Sequence, residues 1–225
     1  FPQAFEQSDE PSVGIQGWMP KGWEVKQIKD FGLVVCGKTP SKKEAKNFGG
    51  STPFIKIPDM HGRVFPVHTT DTLSEEGAAL QKKKEIPSGS VCVSSIATVG
   101  KVVIAPYASH TNQQINSIVP LKKEWTPFIY FSMLELENKF HDLASGGSAT
   151  LNMNTSVFSR TEVLMPVEVL LSELHRITKY VFGKILENEE NIITLESLRD
   201  TLLPKLISGE LRIPDAEQAT EALAK

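Results

Sequence analysis

The chain has little of what would place it in a membrane or in a disulfide framework. No apolar run exceeds five residues, far below the ~20 needed to span a bilayer as a helix. Residues 1–17 carry no Lys or Arg and no apolar stretch, so they do not read as a secretory segment. Only two cysteines occur, Cys36 and Cys92, distant from each other and both in apolar segments. The expectation is two reduced, packed thiols in a cytoplasmic protein. The histidines, His61, His68, His110, His141 and His175, lack metal-ligand spacing.

Motifs for nucleotide and methyl-donor chemistry are missing too. Gly37-Lys38-Thr39 has no glycine five residues earlier, so it is not a phosphate-cradling loop. Phe48-Gly49-Gly50 lacks the spacing of a nucleotide fingerprint. Neither a glycine-rich cofactor loop after a first strand nor an Asn/Asp-Pro-Pro-aromatic motif is present, which argues against an amino-methyltransferase.

The net charge of −3 hides a division. Residues 18–166 hold 17 Lys+Arg against 13 Asp+Glu, whereas residues 167–225 hold 7 against 11. Segments of opposite sign point to different partners. Residues 1–17, with Pro, Ser, Gly and acids, read as a leader or linker. Short runs rich in Val, Ile or Phe then predict strands at Phe31–Cys36, Pro53–Ile57, Val91–Ala97, Val102–Ala105 and Ile115–Val119. Thr126-Pro127 predicts a helix start, with Phe128, Phe131, Leu134, Leu136, Phe140 and Leu143 at helical spacing and Gly146-Gly147 as the stop. A last strand is expected over Val157–Met165. Strands in series with one well-marked helix give an α+β class.

After Pro166 the pattern changes. Val167 to about Leu203 contains no proline and one glycine, Gly183. Leu170, Leu174, Ile177 and Val181 alternate at four and three, as do Leu195, Leu198 and Leu202. The same frame puts Lys184, Asn188 and Asn191 on the seam and displaces Ile185 and Ile192 to its side. A helix of this length reaches roughly 55 Å, longer than the domain before it can cover, so its stripe calls for a partner helix. The alternative is a helix folded back across its own domain. Pro204 and Ser208-Gly209 predict its end, and residues 207–225 read as a C-terminal tail, frayed from Asp215 to Lys225.

Pro20-Lys-Gly-Trp23, Gly37-Lys-Thr-Pro-Ser41, Phe48-Gly-Gly-Ser-Thr-Pro-Phe-Ile55, Pro87-Ser-Gly-Ser-Val-Cys-Val-Ser-Ser-Ile-Ala-Thr-Val-Gly100, Asn112-Gln-Gln-Ile115, Ser145-Gly-Gly-Ser148 and Leu198-Arg-Asp-Thr-Leu-Leu-Pro-Lys-Leu-Ile-Ser-Gly-Glu-Leu-Arg212 occur in this order. Together they resemble the specificity subunit of type I restriction–modification systems. The resemblance implies a target recognition domain over 18–166 and a spacer helix over 167–206. It implies a non-catalytic chain that binds double-stranded DNA, with methyltransferase and restriction subunits as partners. The spacer helix would pair with a second recognition half or a second copy. No cofactor is expected in this chain, S-adenosylmethionine, ATP and magnesium belonging to the partner subunits. One domain, one helix and a start at Phe1 suggest the C-terminal half of a longer subunit, a natural half-subunit being the alternative.

DNA reading needs cations and small donors on phosphates, and amide, guanidinium or ammonium groups on base edges. The candidates are Lys38, Thr39, Ser41, Lys42, Lys43 and Lys46 on one loop, and Ser94, Ser95 and Lys101 around a turn. Asn112, Gln113, Gln114, Gly147, Ser148 and Asn152 complete the set. For Gln113 and Gln114 a structural role stands beside base readout. The helix-pairing candidates are Leu170, Leu174, Ile177, Val181, Ile185, Ile192, Leu195, Leu198 and Leu202. Two alternatives remain open: an assembly module whose helix is the working element, and a metal nuclease using Asp30 with Glu44-Ala-Lys46.

Overall fold

The computed structural model describes residues 4–7, 18–144 and 151–211. In chain order its first elements are β1 (Phe5–Gln7), β2 (Trp18–Pro20), β3 (Glu24–Gln27), α1 (Ile28–Phe31), β4 (Gly32–Cys36), β5 (Phe48–Ile55) and β6 (Asp71–Leu73). Then come α2 (Glu75–Ala79), β7 (Val91–Ser94), β8 (Val102–Ile104), β9 (His110–Thr111) and β10 (Ile115–Pro120). The remainder is largely helical: α3 (Thr126–Glu135), α4 (Glu137–Ala144), α5 (Thr155–Arg160), β11 (Glu162–Met165) and α6 (Glu168–Ile207).

The Val- and Ile-rich runs assemble into one antiparallel sheet of order β4-β10-β7-β8. Successive side chains of a strand point to opposite faces, and every residue of β7 and β8 is buried, so both faces of the sheet are covered. On one face Cys92, Val103 and Ile115 meet Ile55, Ile57, Met60 and Ile86. Ile55 comes from a second sheet, of order β6-β5-β9, in which β5 and β9 run parallel. On the other face α3 packs on β7 and β8 and buries Ile129 and Met133. This explains why the strands read as apolar runs rather than as alternating ones. Burial pushes the Cys92 thiol up to about 12, against the opposing pull of the Ser117 hydroxyl that donates to it. It is therefore an inert packed thiol, whereas Cys36 is half-buried.

Several local expectations change. The expected strand over Val157–Met165 is a helix, α5, followed by β11. Asn154 caps that helix, its Oδ1 accepting from Val157 N at 2.9 Å, and the cap outweighs the β-type residues behind it. β11 then pairs antiparallel with β3, joining residues 162–165 to 24–27. The helix expected from Thr126 to Leu143 is two, α3 and α4, interrupted at Leu136. Thr126 does not cap it: its hydroxyl donates to Gly89 O at 3.0 Å, holding the helix start to the β7 entry. The strand expected at Pro53–Ile57 begins earlier, at Phe48, and Ile57 falls in a short 3-10 turn. α6 runs through Pro204 to Ile207. At the final turn the missing proline N–H costs one exposed hydrogen bond, and Ser208 N still reaches Pro204 O at 3.0 Å. The expected stop at Gly146-Gly147 lies outside the described residues.

The chain divides into two compact units, Phe1–Ile185 and Leu186–Lys225. The first turns of α6 pack within the first unit. Leu171 is buried, and the Phe182 ring lies 5.7–6.1 Å from those of Phe65, Tyr130 and Phe131. At the helix start Glu168 accepts from Lys122 Nζ at 2.7 Å, which lowers its pKa. The seating face is offset by one residue from the stripe read in the sequence: Leu170, Ile177 and Val181 remain exposed. In the second unit Ile192, Leu195, Leu203, Leu206 and Ile207 are exposed as well. No helix among the described residues is long and apolar enough to cross a membrane.

Candidate nucleic-acid interface

Four segments far apart in sequence meet along one rim of the domain. The first is the loop after β4. Gly37 N donates to Ile115 O and Lys38 N to Thr111 O, which starts the loop against β9 and β10. Thr39 then donates to Gln113 Oε1 at 2.6 Å, clipping the loop to the second segment, Asn112–Gln114. The third is the turn after β7, where Ser95 N and Ser95 Oγ both donate to Gln114 O, at 2.8 and 3.0 Å. The fourth is the stretch after α4: Met153 N donates to Ser95 O, Ala97 N to Leu151 O, and Ile96 bridges to Asn152. Ala97 takes a positive φ of 62° and Gly100 one of 87° in this turn.

Gly37 is required at the clip. A Cβ there would lie 2.2 Å from Asn112 O and 2.3 Å from Thr111 O, both backbone atoms. Gly37→Ala is therefore expected to push the loop off β9 and to destabilise the domain by about 3 kcal/mol, read as a lower thermal midpoint. An unchanged midpoint would show that the loop is not held by this approach.

The candidates divide into holders and presenters. Ser94 is fully buried, its hydroxyl donating to Thr98 O. Ser95 is buried on Gln114 O, and Asn112 is buried with Nδ2 donating to Gln114 Oε1 at 2.9 Å and Oδ1 accepting from Gln114 N. These three side chains are buried and held by the hydrogen bonds just given, so they shape the rim from inside. Gln113 and Gln114 also hold structure through the bonds already given. Lys101 pairs with Glu137, Nζ to Oε1 2.9 Å, both side chains about two-fifths exposed. Lys46 pairs with Glu76 at 3.2 Å. Lys38, Ser41, Lys42 and Lys43 are exposed, Thr39 is half-buried, and Asn152 is exposed. Lys38, Lys42 and Lys43 have no carboxylate partner among the described residues. Gly147 and Ser148 lie outside the described residues.

Behind the rim, His110 is fully buried, with Nδ1 3.4 Å from Gln81 Nε2 and Nε2 without a partner among the described residues, and burial lowers its pKa. Asp30, one of the nuclease candidates, accepts from Gln27 N at 2.8 Å and caps α1. Among the described residues no group of three or more His, Cys, Asp and Glu side chains is arranged to hold a metal.

Beside the loop, Lys42 meets residues the sequence did not single out. Lys42, Phe48, Gly49, Thr70, Asp71 and Thr72 line an open cleft of about 390 Å³. No local sequence signal marks it, because β5 and the residues of β6 are brought together only by pairing.

Residues 20–196 match the model of the type I restriction modification DNA specificity domain. The chain belongs to that family. It is 47% identical over 195 residues to the type I restriction enzyme HindI specificity subunit of Haemophilus influenzae, covering 86% of this chain and 42% of that protein. It is 28% identical over 178 residues to the MjaIX specificity subunit of Methanocaldococcus jannaschii, covering 77% and 41%. The chain thus spans about two-fifths of the curated relatives it matches. The crystal structure of the S subunit from M. genitalium shares the fold, with a TM-score of 0.57 at 17% identity over 83% of this chain and 46% of that one. The specificity-domain fold therefore accounts for the α+β head and the long helix that follows it.

Proposed function

We propose that this chain is a non-catalytic recognition half of a type I restriction–modification specificity subunit. Its domain, 18–166, binds one half of a bipartite site in double-stranded DNA. Its helix, 167–206, pairs with the helix of a second recognition half, or of a second copy, and helps to seat the methyltransferase and restriction subunits. S-adenosylmethionine, ATP and magnesium would serve those partners, and the site of action is the cytoplasm. The observation that carries this reading is the meeting of four segments along one rim whose loop presents unpaired lysines, in a chain of this family. Such a rim supplies phosphate contacts that fix register, and base contacts add sequence on top.

Transplantation tests it. Residues 18–166 are exchanged for the same region of a relative with a different half-site, and methylation by the assembled enzyme is mapped. One half of the methylated sequence should change while the other half and the spacing stay. An unchanged sequence would assign the domain to scaffolding and leave the helix as the working element.

A further inference from the structure

We propose that the cleft between β5 and β6 is a base-reading subsite in which Asp71 accepts the N4 amino group of a cytosine from the major groove. The proposal rests on the DNA-binding reading above and adds a specificity-determining residue to it. The cleft adjoins the basic loop, since Lys42 lines it. β6 is the outer strand of its sheet, with β5 on its inner side only.

Its wall is built for close approach. Phe48 and Thr52 both register with Leu73, so Gly49, Gly50 and Ser51 leave the ladder as a bulge. Gly50 must lack a side chain, because a Cβ would lie 2.5 Å from Leu73 O. Gly49 has a φ of +84° with open space around its Cβ direction, so bare backbone faces outward. Bulges of this kind re-aim strand residues.

The charges are arranged for a base rather than a phosphate. Lys56 Nζ holds Asp71 Oδ2 at 2.6 Å, while Asp71 Oδ1 takes no hydrogen bond among the described residues and the side chain is 37% exposed. Partly exposed pairs add little to stability, so Lys56 orients the carboxylate at small energetic cost to its availability. A carboxylate beside unpaired lysines repels a phosphate, but it accepts well from the amino group of cytosine. Thr70 is not the reader, because its hydroxyl donates to Asp59 Oδ1 at 2.7 Å. Thr72 makes no side-chain hydrogen bond among the described residues and can add a contact.

The test uses the assembled methyltransferase and a duplex library in which each half-site position is varied singly. Wild type should prefer cytosine at one position by about 10–100-fold. Asp71→Ala should erase that preference and leave the ranking at every other position. Asp71→Asn, nearly isosteric and so the safeguard should the alanine variant misfold, should turn the position toward adenine, which pairs with an amide through N6 and N7. An unchanged matrix for folded Asp71→Asn, or an equal loss at all positions, overturns the proposal. If the transplanted domain carries its half-site but Asp71→Asn changes nothing, only the subsite fails. If the half-site does not follow the domain, the broader reading fails.

Discussion

Replacing Lys38, Lys42 and Lys43 together by alanine is expected to weaken DNA binding by the assembled enzyme about 10²–10³-fold at 0.1 M salt. Each lysine neutralising a phosphate releases counterions, and log K falls with log salt by about 0.9 per contact. Losing three contacts removes about 2.7 from that slope, which at 0.1 M is the stated loss of affinity. The side chains are exposed and have no carboxylate partner among the described residues, so the triple variant should fold and melt as the parent does. Its sequence preference should persist, because phosphate contacts position without specifying. Lys101→Ala is the contrasting control: its ammonium sits on Glu137 and should leave the slope unchanged. Binding measured from 50 to 200 mM salt checks both. An undiminished slope in the triple variant would remove the loop from the interface.

The strands of the central sheet were legible because they are buried on both faces. Val91–Ser94, Val102–Ile104 and Ile115–Pro120 could be read as runs of apolar residues between turn signals, needing no knowledge of partners. What was not legible depends on pairing across the chain. β3 carries no run of its own and is a strand because β11 lies beside it, and the start of the strand expected from Val157 is instead helix α5. The site follows the same division. Cations on a loop announce themselves, and Lys42 and Lys43 are where composition placed them. Ser94 and Asn112 have the right chemistry for DNA, but their burial and partners are decided by neighbours the sequence does not order. The partner of Lys101, Glu137, is 36 residues away. Asp71, one acid in a three-residue strand, gave no pattern at all until β5 closed beside it.

The helix gives the second large effect. Leu195→Glu with Leu202→Glu is expected to abolish pairing of this chain with a second spacer helix, a loss of at least about 10³-fold in affinity. Burying a leucine is worth about 1.5–3 kcal/mol, and two are removed. Each glutamate would also have to be desolvated at the seam or expelled from it. Leu195 is 62% exposed in the single chain and Leu202 half-buried, so neither change takes a core contact from the domain. Both lie in the unit that begins at Leu186. The thermal midpoint of the domain should stay with the parent, since Leu171 and Phe182, which seat the helix start, are untouched. Co-purification of the two halves and a melting curve of the variant separate the outcomes. If the double variant still assembles, the seam is not the joining face, and the exposed Leu170, Ile177 and Val181 nearer the domain become the surface to test. If it assembles poorly and also melts early, the stripe supports its own domain and the pairing of two spacer helices loses its basis.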